Sequence, residues 1–488
     1  MRKLAIFALL TTTTYTFSQN IEDVYRYSRT YVTGSARFDA MGGSFGALGA
    51  ESGCIGINPA GFGRLSTSSL SFGISGTAVK TKSNFMDHND SFNTFTVRVP
   101  NLAGSFVKDV SGNGNGLLYI QLSGGLNRVA NFNNSLHYSG QKFESLLDVF
   151  ANQATGVDST MLYDYLPYTS SLAYQAYAID PDNQYNYYPR LNSGDMIHNR
   201  SVLKSGGINE WYFAFSGNYI GRVYFGASIS YNTLNYAQST VHKETLTDTT
   251  GVSLRSFIYQ YDFKTKGSGT SIKLGAIFVP VDFLRLGIAL HTPTFYNLTD
   301  DYTATMQAVQ SYGIQHVDPA FIPANRYKYR VWTPTKVVGS LGFVFQDNGC
   351  INVDLEYMNY AWGSLKSTKD QGYAAYDYKT ENKEVKSELI DALNIRVGGE
   401  WSIYNVFFIR AGYGFYPKGY KIDRTYGKNY DQTFSGGFGF KVNRLFIDLS
   451  MRYLSESSIY KAFVESTTYL NTSSMLFNVG LRYKFDYE

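Results

Sequence analysis

From Met475 to Phe485 the residue type changes at every step. Met475, Phe477, Val479, Leu481, Tyr483 and Phe485 alternate with Leu476, Asn478, Gly480, Arg482 and Lys484. A period of two belongs to a β-strand, whose successive side chains leave on opposite faces. The same period runs through Leu445, Ile447, Leu449, Met451 and Tyr453, which are interleaved with Asp448, Ser450 and Arg452. It recurs at Ile395, Val397, Gly399 and Trp401 against Arg396 and Glu400, and at Leu284, Leu286, Ile288 and Leu290 against Arg285 and His291. One face is apolar and the other carries charge and glycine. That suits a strand lying between lipid and a polar lumen, and equally a strand of a soluble sandwich.

The connections decide between the two. Reading the alternation along the chain gives fourteen strands between residues 68 and 486. Short connections at 107–115, 220–221, 280–282, 347–349, 404 and 442 take turns with long ones at 81–91, 129–209, 239–252, 294–333, 362–388, 417–429 and 455–472. A sandwich has no reason to sort its loops this way. An outer-membrane barrel has short periplasmic turns, long outer loops and an even strand count. The expected fold is therefore an all-β transmembrane antiparallel barrel of about 14 strands, with both termini periplasmic. Residues 1–18 (MRKLAIFALLTTTTYTFS) combine a basic start, a short apolar run and small residues at the end, and read as an export signal. Residues 19–67 then precede the first strand and are expected to fill the lumen as a hatch, with the barrel over 68–488 and a large extracellular loop at 129–209. The 42 Tyr and 34 Phe suit such a barrel, and the net charge of +4 gives no reason to expect nucleic acid.

Within the pre-barrel segment, ALGAESGCIGINPAGFG (Ala47 to Gly63) is too small-sided for an ordinary core and too apolar for a solvent loop. A plug in a lumen of fixed width meets both objections, because glycines let the backbone fold tightly and move. The inward charges Arg285, Asp354, Glu356, Arg396, Glu400, Arg410, Asp448, Arg452 and Arg482 read as a solvated or mutually paired barrel interior, with plug anchoring as a subset of that reading and a polar conduit as the functional alternative. No catalytic arrangement emerges and no cofactor is called for. The six histidines (His88, His137, His198, His242, His291 and His316) are scattered, without metal-site spacing such as HExxH, so no metal is expected. Pro100 cannot donate to a ladder, and Gly124-Gly125 weaken the next strand, making these three the candidates for a kink in the wall. Phe143, Leu146, Leu147 and Phe150 recur at helical spacing in the large loop. That helix either presents aromatics outwards or packs on its own loop. Cys54 and Cys350 both fall near the periplasmic mouth in this topology, in a compartment where disulfides form. A bridge would tether the hatch, given Cα atoms within ~7 Å.

SARFDAMGGSFGALGAESGCIGINPAGFG is similar to the N-terminal hatch of the FadL/TodX group of transporters in the form seen in Bacteroidetes, including its Asn58-Pro59-Ala60 tripeptide. VRVPNLAGSF, GGLNRVANFNNSLHYSG, LRLGIALHTPTFYNLTD, INVDLEYMNYAWG and IRAGYGFYPKGY resemble later pieces of that family in order. The resemblance implies a fourteen-stranded barrel for passive uptake of hydrophobic small molecules. Long-chain fatty acids, aromatic hydrocarbons and haem-like compounds all stay open as cargo, because the loop at 163–190 is rich in Tyr and Asn. It further implies capture by outer loops, with Phe143, Leu147 and Phe150 as groove candidates, and gating by a hatch whose Phe38, Phe45, Ile55, Ile57 and Phe62 meet the cargo. Lateral release would follow at a kinked strand. Lipopolysaccharide and membrane lipid would surround such a barrel, and the barrel-assembly machinery would insert it. The alternative is a FadL-like barrel serving as a structural subunit of a secretion or surface complex, with a protein partner held by the extracellular loops.

Overall fold

A computed structural model describes residues 20–114, 116–191, 195–317, 325–346, 348–368, 376–421, 427–463 and 466–485. The expected export signal lies outside the described residues. Fourteen antiparallel strands form one closed ring. They are β1 (Ser69–Phe85), β2 in two halves (His88–Arg98 and Asn101–Asp109), β3 (Leu117–Asn131), β4 (Met196–Tyr219), β5 (Val223–Leu246) and β6 (Leu254–Val281). There follow β7 in two halves (Leu284–His291 and Phe295–Gln310), β8 in two halves (Asn325–Trp332 and Lys336–Phe345), β9 (Gly349–Asn359) and β10 (Asp391–Ile403). The ring is completed by β11 (Phe407–Pro417), β12 (Tyr430–Val442), β13 (Leu445–Lys461) and β14 (Thr467–Lys484). Closure is made by β1 on β14, in a register from Ser69↔Lys484 to Asn84↔Tyr469. A closed ring leaves no free edge, as a strand structure in lipid requires.

The side chains follow the alternation of the sequence. Phe477, Val479 and Leu481 stand exposed on the outside while Asn478 is buried within, and Leu449 and Met451 stand outside while Asp448 is buried. Apolar groups outside and charges inside are the inverse of a soluble domain, and define a transmembrane barrel. No helix among the described residues is long and apolar enough to cross a membrane.

Two expectations need correction. Much of what read as long loop is strand. The β1–β2 connection is only Met86-Asp87, β4 begins at Met196, β5 runs to Leu246, and β7 continues through Gln310. Past the apolar band both faces of a strand can be polar, so the alternation that marks a membrane strand fades where the strand does not. The 129–209 region contains three further strands, Asn134–Lys142, which among the described residues has a ladder to β4 alone, and the short pair Ile179–Pro181 and Tyr187–Pro189, together with three helices including α3 (Leu146–Ala154). Strand breaks also occur where they were not expected, at Thr292-Pro293-Thr294 and Thr333-Pro334-Thr335, each centred on a residue that cannot donate to the ladder.

Residues 20–68 carry two short helices, α1 (Ile21–Ser28) and α2 (Ala36–Ala40), and two 3-10 turns, Ser52–Gly56 and Pro59–Arg64. One core cluster joins their Val32, Phe38, Met41, Phe45, Ile55 and Phe62 to wall residues including Ala103, Tyr212 and Val338. Core and wall are therefore a single packed unit around this segment.

Candidate functional site

The Asn-Pro-Ala tripeptide acts as a clip. Asn58 caps the turn that follows by accepting from the Ala60 N–H (3.0 Å), while its amide nitrogen donates to the carbonyls of Gly46 (2.8 Å) and Ala276 (3.2 Å). Pro59 sits at the first position of the turn, where its missing N–H costs nothing. The Ser216 hydroxyl donates to the Pro59 carbonyl at 3.1 Å. The wall beneath is a paired glycine floor, Gly226↔Gly275 across β5 and β6. A Cβ on Gly275 would lie 1.9 Å from Asn58 Oδ1, and one on Gly226 2.5 Å from Pro59.

Charges fix the other flank. The Arg37 guanidinium makes a two-pronged bond to Glu400, with both contacts at 2.8 Å, and Glu400 also receives Arg410, which reaches on to Asp448 at 2.6 Å. Asp354 accepts from the Phe45 and Gly46 N–H groups (3.0 and 3.1 Å), and Arg396 bonds Glu356 at 3.1 Å. Glu51 lies between Arg37 and Arg482, each at 3.6 Å. Burial pushes its carboxyl up, but Arg482 and Arg37 outweigh burial and hold it below the ordinary carboxylate range. Asp39 is different. Burial dominates over Arg452 (3.6 Å) and the Asn478 amide (2.8 Å), and its carboxyl is raised to about 6. The nine inward charges read from the sequence thus serve as partners to each other and to residues 29–51.

The wall is interrupted at Pro100. The lower half of β2 pairs with β3 only as far as Asn101↔Asn127, and the upper half, His88–Arg98, has a ladder to β1 alone among the described residues. β1 steps by one residue across the break, from Phe72↔Leu102 to Ser75↔Arg98. Beside the break, β3 shifts register against β4 between Arg128 and Ala130, and Arg98 and Arg128 both donate to the Gly206 carbonyl, at 3.3 and 2.6 Å. Gly206 (φ +113°) has a backbone conformation that side chains rarely adopt. Gly124 and Gly125 make no kink, since both lie in unbroken β2–β3 register. Gly125 instead permits close approach, because a Cβ there would meet the Leu102 carbonyl at 2.3 Å. The N-terminal segment touches both sides of the interruption. Ser52 donates to Asn101 (3.0 Å) and Thr33 donates to the Arg128 carbonyl.

A cavity of about 60 Å³ opens next to this point, lined by Val32 and Gly56 of the segment and by Val129, Lys273, His291 and Lys336 of the wall. Lys273 is paired with Glu210 (2.5 Å) and donates to the Ile55 carbonyl, His291 meets the Ile57 carbonyl at 2.9 Å, and Lys336 donates to Thr30 at 2.7 Å. The two proline breaks in β7 and β8 border the cavity through Thr294 and Pro334. Its volume holds a few waters at most.

The side chains expected to meet cargo lie elsewhere. Phe38, Phe45, Ile55, Ile57 and Phe62 are completely buried and none lines the cavity. Phe38 and Phe45 stack at 5.5 Å, and Phe62 stacks on Tyr212 at 6.0 Å. The glycines that read as freedom of movement close tightly over these rings, as at Gly53, where a Cβ would stand 2.5 Å from Phe38. Cys54 and Cys350 are free thiols, so the possible bridge between them is not formed. Cys54 is turned onto Gly61 inside the segment, where a Cβ on Gly61 would be 2.6 Å from its sulfur. In the 129–209 insertion Leu147 and Phe150 are buried, whereas Phe143 precedes α3 and is 56% exposed. The rings open to solvent there are Tyr163, Tyr165, Tyr177, Tyr185 and Tyr188. Finally, the histidines are not all scattered. Pairing of β4 with β5 brings His198 and His242 together, which no linear spacing signals.

A closed fourteen-stranded transmembrane barrel with a short N-terminal segment packed against its inner wall is the fold of the FadL-type transporters. The chain is similar in structure to a Pseudomonas aeruginosa FadL homologue, at 10% identity over 94% of this chain and 100% of that one (TM-score 0.56). It is likewise similar to the Ralstonia pickettii toluene transporter TbuX (14% identity, 93% and 99% covered, TM-score 0.52) and to the Pseudomonas putida toluene transporter TodX (14%, 92% and 98%, TM-score 0.50). Such identities carry the fold alone. The sequence matches no protein-family model and no curated protein.

Proposed function

We propose that this protein is an outer-membrane channel for passive uptake of hydrophobic small molecules, with both termini periplasmic and residues 19–67 as its hatch. The observation that carries the reading is the interrupted wall at Pro100, bonded on both sides by the N-terminal segment and adjoining a cavity. An apolar solute is kept out by the sugar layer of the outer leaflet, so it needs a shielded path only that far. An opening in the wall then lets it partition sideways into lipid without crossing water. Exposed outer tyrosines and Phe143 would collect the solute. The cavity is too small for an acyl chain or an aromatic hydrocarbon, so passage requires the segment to move. Lys336, whose hydrogen bond among the described residues goes to a hydroxyl on the segment and which also feels the charge of Glu356, supports cargo with an anionic head, such as a long-chain fatty acid, over a bare hydrocarbon.

The test is a reversible lock. In a Cys54→Ala, Cys350→Ala background, Ser52→Cys with Asn101→Cys should join the segment to the rim of the break. Uptake of labelled oleate by cells carrying the protein should stop under oxidation and recover on reduction. Undiminished uptake in the fully oxidised protein would overturn the reading.

A further inference from the structure

At the open end of the β4–β5 hairpin, far from its connecting turn, the two strands bring His198, His242 and Glu244 face to face. His198 lies opposite Glu244 in the ladder, and His242 is two residues before Glu244 on the same side of β5. All three are completely buried. One ligand atom from each falls within 4.8 Å of the others, with His242 Nε2 2.7 Å and His198 Nδ1 3.4 Å from Glu244 Oε1. Phe463 packs on both imidazoles, and Phe85 and Phe257 each cover one, so the cluster sits in an aromatic shell.

The hydrogen bonds leave part of this cluster unsatisfied. Nδ1 of His242 has no hydrogen-bond partner, and Nδ1 of His198 has only its 3.4 Å approach to Glu244. Buried polar atoms are almost always satisfied, so this spot requires an explanation. Arg200, on the same face, is turned to Tyr460, whose hydroxyl accepts from Nε at 3.0 Å. Glu244 is held by a second layer at the start of α3, where the Ser145 hydroxyl (2.5 Å) and the Leu146 N–H (2.8 Å) donate to its carboxylate. An oriented carboxylate beside imidazoles is how transition-metal sites are built.

We propose that His198, His242 and Glu244 form a binding site for a divalent transition-metal ion of the zinc type. Two nitrogens and one carboxylate oxygen select zinc and its first-row neighbours over calcium and magnesium, which prefer all-oxygen sets. Bonds of about 2.1 Å place tetrahedral ligand atoms about 3.4 Å apart, so the cluster closes on an ion by side-chain shifts of about 1 Å. Binding displaces the proton shared between His242 and Glu244 to solvent. Because Glu244 also holds α3, the ion would fasten the outer insertion to the β4–β5 hairpin.

The full-length protein, purified in detergent and stripped with chelator, is dialysed against zinc chloride and its bound metal measured. One tight equivalent per chain is expected. His198→Ala with His242→Ala should lose it. Glu244→Gln, which keeps the side-chain shape, should weaken it at least 10-fold, and Ser145→Ala about 10-fold. The exposed His316→Gln should retain it. Cobalt in place of zinc should give the visible absorption of a low-coordinate site with nitrogen ligands, a readout that needs no variant. No retained equivalent and no cobalt spectrum, or zinc that His198→Ala/His242→Ala leaves bound in protein with an intact heat-dependent gel shift, would overturn the proposal.

Discussion

At the scale of residues, the closest contacts are made where side chains are absent. The Gly226↔Gly275 floor lets Asn58 and Pro59 lie against β5 and β6. Gly275→Ala should unseat the tripeptide, and limited proteolysis should then cut before residue 67 at least 10 times faster, while the barrel keeps its gel mobility. Asp39 sets a pH dependence. Its carboxyl is raised to about 6 from 3.8, so its contribution to holding the segment is fully present below about pH 4 and is lost as pH rises through about 6. Asp39→Asn should flatten that window, with slower hydrogen exchange over residues 34–43 at pH 7 than in the parent protein. Lys336→Met should weaken oleate binding by about 10-fold or more and leave toluene binding nearly unchanged, consistent with one charge-assisted hydrogen bond worth about 1.5–3 kcal/mol. Legibility at this scale was uneven. The Asn-Pro-Ala motif stands out in the chain, but its glycine floor is more than 150 residues away in sequence.

At the scale of elements, a strand is defined by what pairs with it, and β2 is two elements in this sense. Pro100 divides a half joined to β3 from a half joined only to β1. Pro100→Thr restores an N–H to the ladder. Oleate uptake should fall several-fold, with the barrel's denaturation midpoint unchanged or higher. Pro100 marks this break in the ladder, whereas Gly124-Gly125 lie in continuous β2–β3 register. The Thr-Pro-Thr breaks in β7 and β8 were equally visible as sequence. Each falls where the alternation ends, and strand length beyond the apolar band leaves no trace in alternation. In α3, helical spacing located Leu147 and Phe150 correctly but not the surface they face, which is set by the strands beneath them.

At the scale of the whole molecule, the ring and its contents stabilise one another. Inward charges that would otherwise need water find partners on residues 29–51, and removing one member of a buried pair costs about 3–5 kcal/mol. Deleting residues 20–67 should therefore leave a barrel that still inserts but unfolds more readily, and that passes small polar solutes in a liposome-swelling assay. The intact protein should pass few. The period of two and the count of fourteen strands were fixed by the sequence alone, because a strand's two faces meet different solvents across the apolar band. So was the presence of a small-residue segment ahead of the barrel. Which face of that segment is sealed, where the wall is open and which histidines meet depended on the closed ring. Closure brings together residues more than 400 positions apart, and such contacts leave no local pattern to read.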